Sequence, residues 1–184
     1  DAENAVNAAI EMQKSLIIYT QERISVPYIP IDVGIGLHSG SVIIGTVGSE
    51  KRMDSTVIGD NVNLASRLEK LTKYYGVSII ISEIIYGLLP SPKSFCIRML
   101  DRVNVKGKTE PIDIYEVFDF ESEEIKQKKI NNGNLIKQAI EYRKNQEWEK
   151  ARSIFEEISQ SEIILGTVHL EQIEKLTGKN LPIN

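Results

Sequence analysis

The chain is poor in the residues from which several kinds of site are built. Its single cysteine, Cys96, excludes an internal disulfide and any metal centre made of several thiolates, and suits a reducing compartment. Its two histidines, His38 and His169, lie far apart. With no partner cluster nearby, His38 in "GLHSG" reads as a turn histidine rather than a metal ligand. No apolar run approaches the roughly 18 residues of a membrane span, so no such segment is expected in this chain. A basic surplus is missing too: the formal net charge is −4, the isoelectric point is near 5.4, and the two signs are interspersed. Without a basic arm or stripe, a nucleic-acid partner is not expected. No G-x-x-x-x-G-K-S/T string precedes a helix. The glycines at 34, 36, 40, 45 and 48 therefore suggest close backbone packing in a twisted hairpin instead of a phosphate loop.

What is present is enough for one good core with a small appendage, in 184 residues that open at Asp1 without an initiator Met or signal peptide and read as part of something longer. Val6, Ala9, Ile10, Leu16 and Ile17 recur at helical spacing and predict a helix over residues 1–22. Two prolines in residues 26–30 break it. "IDVGIGLHSG" and "SVIIGTVGS" read as two strands joined by a turn at His38-Ser39-Gly40, followed by a polar loop over 49–56. A helix is expected from about Asp60 to Tyr75, with Asp60 or Asn61 as N-cap and Gly76 as its stop. "VSIII" reads as a buried strand, and "SEIIYGLL" as a short helix capped by Ser82. "FCIRMLDRVNV" and "PIDIYEVFD" read as strands flanking a turn at Gly107. Residues 121–133 change composition and read as a linker. Beyond them, helices are expected at 134–145 and 147–159, and the A-x-x-x-F spacing of Ala151 and Phe155 matches half a tetratricopeptide unit. One helix pair cannot bury its own face, so it should pack on the main domain or on a partner. The last twenty residues carry no clear pattern.

The helix at 60–75 holds the most specific pattern. Leu64, Leu68, Leu71 and Tyr75 form its apolar stripe, and Asn63, Arg67 and Lys70 form a second stripe of hydrogen-bond donors. That second stripe is either a solvated edge or a set of donors aimed at an anion. Lysines such as Lys106 and Lys108, astride Gly107, are ordinarily solvated unless another anion-binding group converges on them.

The run "IGLHSGSVIIGTVGSEKRMDSTVIGDNVNLASRLEKLTKYYGVSIIIS", followed by "VNVKGKTEPIDIYEV", resembles the class III adenylate/guanylate cyclase catalytic domain over about residues 1–118. The resemblance implies an α/β (α+β) fold: a ferredoxin-like cyclase domain over 1–120, without its N-terminal strands, then the linker at 121–133 and a helical extension over 134–184. It implies that Asn63 binds the ribose region and that Arg67 meets phosphate charge during cyclisation. Thr56, seven residues before Asn63, would contact the purine in the manner of bacterial adenylate cyclases, and Lys106 would hold the triphosphate. The family's two metal-binding aspartates and a base-selecting lysine fall before the region that matches Asp1. Mg2+ or Mn2+ is therefore expected in the parent enzyme, with no metal ligand in this chain and no activity from this stretch alone. The implied reaction is ATP to 3′,5′-cyclic AMP and pyrophosphate, carried out by a homodimer in the cytoplasm, with an upstream membrane anchor left open. The alternative is a non-catalytic cyclase-like module that dimerises or regulates.

Overall fold

The computed structural model describes residues 1–23, 31–49, 52–104 and 110–178. Helix α1 (Ala2–Glu22) precedes strand β1 (Ile35–Leu37), strands β2 (Ile43–Ser49) and β3 (Arg52–Ile58), and helix α2 (Asp60–Tyr75). Strand β4 (Ile79–Ser82), the short helix α3 (Glu83–Leu88), a 3-10 turn (Pro92–Ser94) and strands β5 (Ile97–Val103) and β6 (Ile112–Val117) follow. Helices α4 (Glu123–Lys144), α5 (Trp148–Ser159) and α6 (Ile163–Thr177) complete a mixed α+β architecture.

A four-stranded sheet in the order β1-β4-β6-β5 forms the centre, with β1 parallel to β4 and the other pairs antiparallel. The inner strand β4 is buried on both faces, and successive side chains point to opposite sides. Ile79, Ile81 and Val117 meet Val6, Ala9 and Ile10 of α1 together with Ile85 of α3. Ile80, Leu100, Ile112 and Ile114 join Leu64 and Leu68 of α2, Ile136 and Ile140 of α4, Phe155 of α5 and Ile173 of α6. The C-terminal helices thus share a core with α2 and the sheet, as the need to cover their apolar faces required.

Several expectations are corrected. The strands at 35–37 and 43–49 do not form a hairpin: β1 pairs with β4, and β2 pairs with β3 in a separate two-stranded sheet. The stretch expected as a polar loop over 49–56 supplies most of β3, because cross-strand pairing overrides the weak strand propensity of its polar residues. The supposed linker at 121–133 is largely the first half of α4. Ser122 caps that helix by accepting from the Ile125 N–H, and Glu123 and Glu124 favour its positive end. Helix α6, in the unassigned tail, buries Leu165, Val168, His169 and Ile173. The Gly107 turn lies outside the described residues.

Buried charge joins the two parts. Arg98 on β5 donates to Glu116 of β6 at 2.6 Å and forks onto Glu162, just before α6, at 2.6 and 2.5 Å. Lys129 of α4 reaches Glu116 and Glu121, each at 2.6 Å. Burial works against the Arg98 cation, but these carboxylates outweigh it and raise its pKa.

Candidate active site

Helix α2 is the element on which the candidate residues depend, and its placement follows from its sequence. Leu64, Leu68, Thr72 and Tyr75 are buried, while Asn63 is exposed and Arg67 half-buried on the flank beside them. Gly76 in the left-handed region, with φ +68°, ends the helix. At its start the side-chain cap expected from Asp60 or Asn61 is not formed: Gly59 is the N-cap, and Asp60 is the first helical residue.

The helix lies unusually close to β1. A Cβ on Gly36 would fall 2.3 Å from the Glu69 nitrogen and 2.5 Å from the Ala65 carbonyl oxygen. The expectation of close backbone packing is right for Gly34 and Gly36, but the partner is helix α2 and not a second strand. A side chain at position 36 would push the helix bearing Asn63 and Arg67 off the sheet.

A second set of contacts fastens the start of α2. His38 Nε2 lies 3.1 Å from Asn61 Oδ1, and His38 Nδ1 lies 2.9 Å from Ser82 Oγ. The Asn61 amide nitrogen donates to the Ser41 carbonyl at 2.8 Å. This Ser-His-Asn chain is no nucleophilic arrangement, because the Ser82 hydroxyl is buried and caps α3 by accepting from the Ile85 N–H. His38 was expected at a hairpin turn; instead it ties the end of β1 to α2 and α3 through these contacts.

Thr56 is half-buried on β3, paired with Gly45, in the strand that leads directly into α2. Lys106 lies outside the described residues. Among the described residues no three His, Cys, Asp or Glu side chains are grouped to hold a metal ion, and no helix is long and apolar enough to cross a membrane.

The residues that pattern reading missed lie under the far end of α2. Tyr75 donates to Asp101 Oδ2 at 2.5 Å, and Arg143 of α4 donates to Asp101 Oδ1. Gln172 of α6 donates to Asp101 Oδ2 at 3.1 Å and to the Tyr75 hydroxyl oxygen at 3.3 Å. His169 is fully buried against Phe155, ring centroids 4.2 Å apart. Its Nε2 donates to the Leu100 carbonyl at 3.2 Å, leaving Nδ1 to accept from Arg143 at 3.2 Å. Burial lowers the His169 pKa to about 4, with the Arg143 cation acting the same way against the opposing pull of Asp101. Burial works against the Asp101 carboxylate, but neighbouring positive charge and the hydrogen bonds from Tyr75 and Arg143 prevail and hold it below the usual range. The only sequence signal for this cluster was polar residues placed among apolar ones.

Comparison with known proteins matches residues 1–119 to the family described as the adenylate and guanylate cyclase catalytic domain. An adenylate cyclase of Anabaena cylindrica is 52% identical over 120 residues, which are 61% of this chain and 24% of that protein. A terminal-differentiation-specific adenylate cyclase of Dictyostelium discoideum is 38% identical over 154 residues, 83% of this chain and 7% of that one. The second alignment is longer than the family match and so takes in part of the C-terminal helices. Among solved structures, the adenylyl cyclase CyaB from P. aeruginosa superposes with a TM-score of 0.54 at 35% identity, over 65% of this chain and 59% of that one. The guanylyl cyclase Cya2 superposes with a TM-score of 0.51 at 32% identity, over 64% and 57% of the two chains. The chain thus spans about a quarter of the Anabaena relative and well under a tenth of the Dictyostelium one.

Proposed function

The chain belongs to the adenylate and guanylate cyclase catalytic-domain family, and from that premise we propose that it is the substrate-anchoring part of an adenylate cyclase that converts ATP to 3′,5′-cyclic AMP and pyrophosphate. The observation that carries this reading is the division of α2 into two flanks: Leu64 and Leu68 are locked in the core while Asn63 and Arg67, one turn apart, stand beside them toward solvent. In the reaction a bond forms between the ribose 3′-oxygen and the α-phosphorus, the bond to pyrophosphate breaks, and the hydroxyl proton departs. Negative charge develops on the phosphate oxygens. A planar guanidinium on a packed helix meets that charge with little reorganisation, which is where electrostatic catalysis gains most. Asn63 orients the ribose, Thr56 reads the purine, and Lys106 holds the triphosphate. Thr56 and the two adenylate cyclase relatives support ATP over GTP.

The described residues do not fit a divalent metal, since no group of three or more acidic, histidine or cysteine side chains is assembled among them. The Mg2+ or Mn2+ of the proposed enzyme would be held by aspartates other than these. We further propose a homodimer, supported by the β2–β3 ribbon. Its directly opposed pairs Ile43–Ile58 and Ile44–Val57 are exposed on both faces, with Ile43 71% and Ile44 75% accessible. A patch of that kind marks an interaction surface.

The test is to purify the full-length protein and follow cyclic nucleotide formation from ATP and from GTP by chromatography. Cyclic AMP should dominate, and Asn63→Ala and Arg67→Ala should each remove most of it without unfolding the protein. Preferred formation of cyclic GMP would overturn the assignment of substrate, and full activity in both variants would overturn the assignment of the site.

A further inference from the structure

The C-terminal helices reach the helix of the candidate site through hydrogen bonds as well as apolar contacts. Tyr75, the last residue of α2, and Asp101 of β5 are each 1% exposed, and the Tyr75 hydroxyl donates to the Asp101 carboxylate at 2.5 Å. Asp101 is turned toward the helices by an irregularity in the β5–β6 register: Met99 pairs with Tyr115 and Asp101 with Ile114, so Leu100 is extra. A bulge of this kind re-aims a side chain that simple alternation would direct elsewhere. Arg143 of α4 and Gln172 of α6 then converge on the same carboxylate, and Gln172 also donates to the Tyr75 oxygen.

We propose that Tyr75 and Asp101 are positioning residues for the cyclisation reaction, and that α4 and α6 lock them through Arg143 and Gln172; this rests on the reading of Asn63 and Arg67 given above. Apolar contacts such as those of Leu64 and Leu68 are non-directional and tolerate small rotations and slides of a helix. A short hydrogen bond at the helix terminus does not. Arg67 lies eight residues before Tyr75, about 12 Å along the axis, and the intervening helix transmits a shift at its end as a rigid rod. Misplacing a group that meets transition-state charge by about 1 Å is enough to cost on the order of 10²-fold in rate. Stability alone does not require this arrangement, because buried ionic clusters are often replaced by apolar groups at no cost. The helical extension is thereby part of the catalytic apparatus.

The test uses Tyr75→Phe and Gln172→Ala in the full-length protein, with steady-state kinetics and thermal melts, and combines Tyr75→Phe with Arg67→Ala. Tyr75→Phe keeps the ring packing and removes only the hydroxyl. It should lower kcat about ten-fold with KM for ATP nearly unchanged, the signature of a loss felt mainly in the transition state. Gln172→Ala should act in the same direction but less. In the Arg67→Ala background, Tyr75→Phe should lower kcat by clearly less than it does alone, because one of the groups it positions is gone while Asn63 remains. Lower melting temperatures with kcat within about two-fold of the unaltered protein, or effects of Tyr75→Phe and Arg67→Ala that simply multiply, would overturn the proposal. Arg67→Ala with undiminished kcat would instead sink the underlying reading of the site, so the two failures are distinguishable.

Discussion

Adjacent residues on one helix are expected to fail in opposite ways. Arg67 is half-buried on the open flank of α2, whereas Leu68 is fully buried in the core. Arg67→Ala should lower kcat by about 10²–10³-fold, the range for losing one preorganised donor to developing charge, while KM for ATP changes little. Arg67→Lys should restore only part of it, since an ammonium lacks the guanidinium fork. Leu68→Ala should cost roughly 2–5 kcal/mol through the cavity it leaves, with kcat per folded molecule nearly intact. Melting curves and kinetics on the same preparations separate the two. Loss of stability without loss of kcat in Arg67→Ala would make Arg67 a structural residue.

At the scale of elements, the contact of α2 with β1 and the exposed ribbon each carry an expected outcome. Gly36→Ala places a methyl group against the α2 backbone, where no flexible side chain can yield. It should cost about 1–3 kcal/mol, the usual penalty of overpacking, and reduce kcat as well, because the helix that must move bears Asn63 and Arg67. Gly87→Ala on α3, where a Cβ meets nothing within 4 Å, is the control and should not lower either. On the ribbon, Ile44→Lys should weaken self-association, as a charge at the centre of an apolar contact must be desolvated. Sedimentation velocity on the full-length protein would register the shift toward monomer; an unchanged distribution would place the dimer contact elsewhere.

Across the whole molecule, the buried cluster of His169, Arg143, Asp101, Tyr75 and Gln172 makes stability depend on pH. The His169 pKa is lowered to about 4 in the fold and stands near 6.5 in an unfolded chain. Between those values the unfolded state binds a proton that the folded state refuses. Stability from this group is therefore complete above about pH 6.5 and lost as pH falls toward 4, by up to about 3 kcal/mol. Asp101 and Glu162, whose pKa values are lowered, add a loss of the same sign at still lower pH. Glu121 and Asp119, raised by burial, act in the opposite sense. The contribution of His169 is thus best isolated as the difference between the native protein and His169→Gln. The substituted protein should lose less of its melting temperature between pH 7 and pH 4.5; equal losses would show that His169 does not govern this range.

Much of the molecule is legible in its sequence. Helices α1, α2, α3 and α5, strands β4, β5 and β6, and the stop at Gly76 all rest on local periodicity and turn chemistry, which a short stretch of chain carries by itself. The two flanks of α2 were likewise written in the spacing of Asn63, Leu64, Arg67 and Leu68. Which strand β1 pairs with was not, because "GLHSG" satisfies a turn equally well whether the next strand folds back or leaves for another sheet. Helix α4 was hidden in residues 121–133, where Ile125 and Ile130 are exposed and the buried position is Lys129, held by Glu116 and Glu121 from other parts of the chain. Helix α6 and the Asp101 cluster depend in the same way on partners brought together from distant parts of the chain. Tyr75, Asp101, Arg143 and Gln172 meet only after the sheet and helices α4 and α6 have packed, since a buried charge is tolerable only once all its partners have arrived.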